Sequence, residues 1–220
     1  MRIRNILYQI LEIPLTHPIN HSRRSFKKTE SVLFLVDIDG VYGIGECAPR
    51  LYVTGENLKT VIFFLKKFKK NLIRFSFNKI EEISSYLDEL TERNIAAKTG
   101  IEIAILDAIG KIVNKPIYKV IFNCSARKEF KINGGIPFSA PKQYTLNFLH
   151  KFYDQGIKDF KIKVGKDIKE DLYCLDYLRE EFPYVNLRID ANRAWNLEKA
   201  IEYLRQIEKY NIFLVEDPLL

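Results

Sequence analysis

The sequence predicts an α/β protein in which an α+β N-terminal part precedes a series of parallel strand–helix units. Three observations carry this expectation. Toward the C-terminus three short runs, 160–164, 187–192 and 213–218, alternate apolar and charged residues with period two. They recur at nearly constant spacing, 27 residues from Lys163 to Asp190 and 26 from Asp190 to Glu216, as strand–helix–strand units require. Near the N-terminus, alternating stretches meet at Asp39-Gly40, a hairpin signal, and helical periodicity follows.

Residues 2–14 alternate apolar and polar and read as a strand. Residues 16–30, with His17, Pro18, His21, Arg23 and Arg24, are polar and basic and read as a loop. Strands at 31–37 and 41–47 complete a three-stranded antiparallel meander. Residues 49–56 form a second loop, with Gly55 as a hinge, before Asn57 caps a helix over 58–70. In that helix Val61, Ile62, Leu65 and Phe68 make an apolar stripe, so Lys66, Lys67, Lys69 and Lys70 read as its solvated face. Helices are expected at 79–91 and 96–113. The second buries Ile101, Ala104, Ile105, Ala108 and Ile109 and stops at Asn114 and Pro116. Its Glu102 and Asp107, five residues apart, do not share a helical face and read as structural.

A short polar link at 124–128 sets the expected boundary between a domain of residues 1–125 and one of 126–220. A strand is expected at 131–137, where Gly134-Gly135 permits close packing. A helix at 141–155 then stops at Gly156. The strand of Lys161 and Lys163 follows, then helices at 167–181 and 196–208 between the remaining two strands.

Bulk properties bound the function. The chain has 220 residues, 47% hydrophobic and 29% charged, which is ordinary globular composition. A net charge of +7 suits an anionic substrate. With the lysine run explained as a helix face, neither a nucleic-acid nor a membrane partner is expected. No apolar run reaches the roughly 20 residues of a membrane span, and no signal peptide is read. Cys47, Cys124 and Cys174 fit no disulfide or zinc spacing, so a cytoplasmic setting is expected.

Within the repeated strands, Lys161 and Lys163 share one face. Arg188, Asp190 and Asn192 share a face of the next strand, and Glu216 lies opposite Phe213 and Val215. Neighbouring parallel strands lie roughly 5 Å apart, so these charges can converge. They stand at the C-terminal strand ends, where barrel enzymes place their chemistry.

Lys161-Ile162-Lys163, Asp190-Ala191-Asn192 and Glu216-Asp217-Pro218, in this order, resemble the strand motifs of the enolase superfamily, specifically its muconate-lactonizing-enzyme subgroup. Gly45-Glu46-Cys47-Ala48-Pro49 and Tyr52-Val53-Thr54-Gly55-Glu56 are similar to the end of that family's N-terminal meander and its mobile loop. The resemblance implies an N-terminal α+β capping domain and a partial (β/α) TIM-like barrel, represented by its first four strands. A full barrel takes about 250 residues. The family's third carboxylate ligand and its second lysine have no counterpart in this sequence.

The resemblance further implies Mg²⁺, or Mn²⁺, held by Asp190 and Glu216, with Asn192 orienting Asp190 or a metal-bound water. Lys163 would be the base and Lys161 its partner, and Arg24, Tyr52 and Thr54 would meet the substrate from the two loops. The expected reaction is removal of the α-proton of a small carboxylate through an enediolate, by a homo-oligomer. Epimerisation or cycloisomerisation ranks first. Thr54-Gly55-Glu56 leans toward dipeptide epimerases, and Asp190 to Trp195 toward an o-succinylbenzoate synthase-type dehydratase. A different class is a truncated, inactive relative that only folds or binds a partner.

Overall fold

The computed structural model describes residues 1–20, 25–122, 127, 129–136 and 141–220. The chain divides into two compact units, Met1–Thr16 with Lys27–Arg127 and His17–Phe26 with Lys128–Leu220. The boundary expected between 125 and 126 falls at residues outside those described. Among the described residues no helix is long and apolar enough to cross a membrane.

β1 (Ile3–Asn20), β2 (Ser25–Ile38) and β3 (Val41–Cys47) form a sheet in that order, most of it in the first unit. The loop expected over 16–30 is therefore largely strand. Main-chain pairing does not depend on composition, and Lys28 bridges Glu12 at 2.8 Å and Glu30 at 3.0 Å. Pro14 and Pro18 fit because β1 is an edge strand, where a missing N–H is tolerated. Asp39 (φ +49) and Gly40 (φ +91) both adopt the left-handed conformation of a two-residue hairpin turn. Arg24 lies outside the described residues.

Helix α1 (Leu58–Arg74) starts at Asn57, whose side chain accepts the Thr60 N–H in a reciprocal capping box. α2 (Glu81–Leu90), α3 (Ile95–Ile112) and a short α4 (Ile117–Ile121) follow. α3 buries Ala97, Ile101, Ala104, Ile105, Ala108 and Ile109. β3 lies so close to it that a Cβ on Gly43 would fall 1.9 Å from the Ala104 carbonyl oxygen, and one on Gly45 2.1 Å from that of Gly100. Glu102 bonds Ser84, and Asp107 accepts the Ile44 N–H at 2.8 Å, so both are structural as expected.

The second unit is a four-stranded parallel sheet in sequential order. Its elements are β4 (Asn133–Ile136), α5 (Lys142–Tyr153), β5 (Asp159–Lys163), α6 (Ile168–Glu181), β6 (Asn186–Asp190), α7 (Leu197–Ile207) and β7 (Ile212–Glu216). Asp167 and Asn196 cap α6 and α7 by accepting N–H bonds from Lys169 and Lys199. One sheet face is apolar. Phe160, Ile162, Val164, Leu187, Ile189 and Ala191 are buried in one core with Leu149, Leu175, Leu178 and Tyr203 of the helices.

Phe213 departs from its expected place beside Val215. Leu187 pairs with Ile212 but Arg188 with Leu214, so Phe213 is the extra residue of a bulge and is 68% exposed. The bulge keeps Ile212 and Val215 packed on the core and sets Glu216 opposite Asp190.

Candidate functional site

The polar face of this sheet carries the site. Register places Lys163 opposite Asp190 and Asp190 opposite Glu216, and one row down Lys161 opposite Arg188. The strand ends are fastened to each other beyond the sheet. The Val164 N–H donates to the Asp190 carbonyl at 3.0 Å, Ala191 to Glu216 at 3.1 Å and Arg193 to Asp217 at 2.7 Å.

Lys161 Nζ lies 2.8 Å from Asp190 Oδ2 and 2.8 Å from Glu216 Oε1. Burial disfavours this ammonium, but hydrogen bonds to the two carboxylates and their charges outweigh burial and hold its pKa above the usual lysine value. Lys163 goes the other way. Burial pushes its pKa down and Lys161 adds to that, while Asp190 and Glu216 oppose with less effect. One lysine is thus set to stay charged and its neighbour to give up its proton more easily.

Asn192 does two things from one unusual conformation, φ +47. Its main-chain N–H donates to Asp190 Oδ1 at 2.9 Å, while its side-chain Oδ1 accepts from Lys163 Nζ at 2.6 Å. The resemblance points Asn192 at Asp190 or a metal-bound water, whereas its side chain contacts Lys163 from a left-handed turn that cannot be read from strand periodicity.

The donor set suits a divalent cation. Asp190, 2% exposed, and Glu216 turn one oxygen each toward a single positive centre, here Lys161 Nζ. Two hard anionic oxygens on one cation fit Mg²⁺, which is commonly bound by one or two carboxylates with waters and substrate. Among the described residues no three His, Cys, Asp or Glu side chains form a metal cluster.

Tyr52 and Thr54 belong to the first unit, and both are exposed. The Thr54 N–H donates to the Arg50 carbonyl at 2.9 Å in a tight turn. Glu56 is buried and accepts the Ala96 and Ala97 N–H groups at the start of α3, so in that motif it is a cap. Burial pushes the Cys47 and Cys174 thiols up to about 11, which makes neither a nucleophile.

Residues 6–121 match the mandelate racemase / muconate lactonizing enzyme N-terminal domain, and residues 145–220 the enolase C-terminal domain-like family. An L-Ala-D/L-Glu epimerase of Clostridium acetobutylicum is 30% identical, the match covering 100% of this chain and 62% of the relative. The structure of N-succinyl Arg/Lys racemase from Bacillus cereus superposes with a TM-score of 0.93 at 28% identity, over 100% of this chain and 60% of that one. That of a dipeptide epimerase from Enterococcus faecalis, complexed with Mg and the dipeptide L-Leu-L-Tyr, gives 0.91 at 25% identity, over 100% and 62%. An o-succinylbenzoate synthase of Listeria innocua is 26% identical over 94% of this chain and 55% of its own length. The chain therefore spans about three-fifths of the length of the first of these relatives. The antiparallel sheet of the first unit and the parallel sheet with helices of the second match the enolase-family fold.

Proposed function

This chain belongs to the mandelate racemase / muconate lactonizing enzyme family of the enolase superfamily, and from that premise we propose that it removes the α-proton of a small carboxylate substrate in an epimerase or racemase. The observation that carries the reading is the level row Lys163–Asp190–Glu216 with Lys161 bridging the two carboxylates.

Lys163 is proposed as the base. Its lowered pKa raises the fraction of neutral amine near pH 7, and Asn192 Oδ1 fixes the direction of the nitrogen. The amine takes the proton from the carbon next to the substrate carboxylate, and the electron pair left behind moves onto the carboxylate oxygens. Lys161 keeps its charge and faces that developing negative charge. Asp190 and Glu216 would hold Mg²⁺, which supplies further positive charge for the enediolate oxygens. The Mg²⁺-bound dipeptide epimerase among the similar structures supports this choice of metal.

Dipeptides and N-acyl amino acids are the proposed substrate class, because the epimerase and racemase relatives are named for them. Return of the proton on the opposite face needs a second acid. The similarity to an o-succinylbenzoate synthase supports one second reading, a dehydration in which one lysine acts as base and then acid. The test is α-proton exchange in D₂O by the full-length protein with Mg²⁺, over a panel of dipeptides, N-succinyl amino acids and the dehydratase substrate. Exchange with the first two classes is expected. Exchange with none of them would refute the reading.

A further inference from the structure

The turn that leaves β5 is held by a residue the reaction scheme does not use. Gly165, two residues beyond Lys163, has φ +108, a conformation that favours glycine. Its N–H donates to Asp171 Oδ2, on the first turn of α6, at 2.7 Å. The same glycine is pressed against the turn that carries Asn192. A Cβ there would lie 2.6 Å from Ala194 Cβ and 3.2 Å from Trp195 Nε1. Trp195 in turn packs on Tyr203 of α7, with ring centroids 4.3 Å apart.

Asp171 is 7% exposed and forms no ion pair among the described residues. A buried, unpaired carboxylate is costly, and a neutral side chain would fill the same space with less penalty. What the carboxylate provides is a strong acceptor for the Gly165 N–H, in the turn just after the strand that ends in Lys163.

We propose that Asp171 is a positioning residue that acts through the Gly165 N–H to fix the turn after β5, and so holds the Lys163 nitrogen at Asn192 and level with Asp190. This rests on the reading of Lys163 as the base. Burial lifts the Asp171 pKa to about 6, with the Gly165 N–H and Tyr203 opposing and the charges of Asp167 and Glu170 adding to it. The side chain is therefore an anionic acceptor at neutral pH.

The test uses the full-length protein with selectively labelled glycine and lysine. Asp171→Leu removes the acceptor while filling the space, with Asp171→Ala in its place should the leucine variant not fold. Asp171→Asn keeps an acceptor oxygen within reach. In the leucine variant we expect Gly165 amide exchange to rise about tenfold or more, the Lys163 side-chain resonance to move, and kcat to fall at least about tenfold with KM within about twofold. The asparagine variant should restore most of each change. An unmoved Lys163 resonance in the leucine variant overturns the proposal whatever the rate does, and so do equal losses in the leucine and asparagine variants. Resonance changes rescued by asparagine, in a protein whose wild type exchanges no α-proton, would uphold the positioning role and remove Lys163 as base.

Discussion

Asp171→Asn should change how stability depends on pH. The wild-type carboxyl has a pKa of about 6 in the fold, against 3.8 when unfolded, because burial disfavours its charge. The gap is about two pH units, and each is worth about 1.36 kcal/mol, so ionising Asp171 costs the fold on the order of 3 kcal/mol. Below pH 3.8 the group is protonated in both states and its contribution is fully present. That contribution is lost as pH rises through 6. Asparagine is close in shape and cannot ionise, so the loss vanishes in the variant. Between pH 4 and 7 the variant should therefore gain about 3 kcal/mol on the wild type.

Urea unfolding at several pH values measures this, and Trp195 fluorescence is a local reporter. It is the one tryptophan of the chain, it is buried, and it packs on Tyr203. Tyr203 lies near enough to Asp171 for the carboxylate to push its own pKa up, second to burial, although its hydroxyl makes no hydrogen bond of regular geometry. Parallel stability curves for wild type and variant across this range would refute the burial argument.

Other substitutions separate the roles at the site. Lys163→Ala should abolish α-proton exchange while Mg²⁺ affinity, followed by calorimetric titration, stays near wild type. Wild-type exchange in that variant would remove Lys163 as base. Asp190→Asn and Glu216→Gln should each weaken Mg²⁺ binding at least about tenfold, since a hard cation loses an anionic ligand. Unchanged affinity in both would mean that the carboxylates serve only Lys161. Asn192→Ala should lower kcat while leaving Mg²⁺ affinity within a few-fold, because Asp190 is held by the main chain at 192 and Lys163 by the side chain. Part of its stability loss, about 1–2 kcal/mol, would come from alanine in a left-handed conformation. Gly45→Ala should destabilise the first unit by about 1–3 kcal/mol or more in thermal unfolding, since its Cβ would meet α3 main chain at 2.1 Å.

The order of strands and helices in the second unit and the row of charges are legible in the amino-acid pattern alone. Period-two alternation assigns Lys161, Lys163, Asp190 and Glu216 to one side, and the near-equal spacing sets Lys163, Asp190 and Glu216 level. Local signals also stood, among them the Asp39-Gly40 turn and the Asn57 cap, because a hairpin turn or a cap is settled within four residues. The remaining features depend on contacts between separate elements of the fold. Strand pairing, not polarity, fixed the length of β1 and β2 through residues that read as a loop. A bulge turned Phe213 out of the apolar face that alternation assigns to it, while Glu216 stands opposite Asp190. The division of labour between the lysines depends on which nitrogen reaches two carboxylates and which lies deeper, and no local pattern contains that distance or that burial. The grip of Asp171 on Gly165 joins α6 to the end of β5. It exists only because the helix folds back along the strand it follows, bringing an N–H and a carboxylate six residues apart within 2.7 Å.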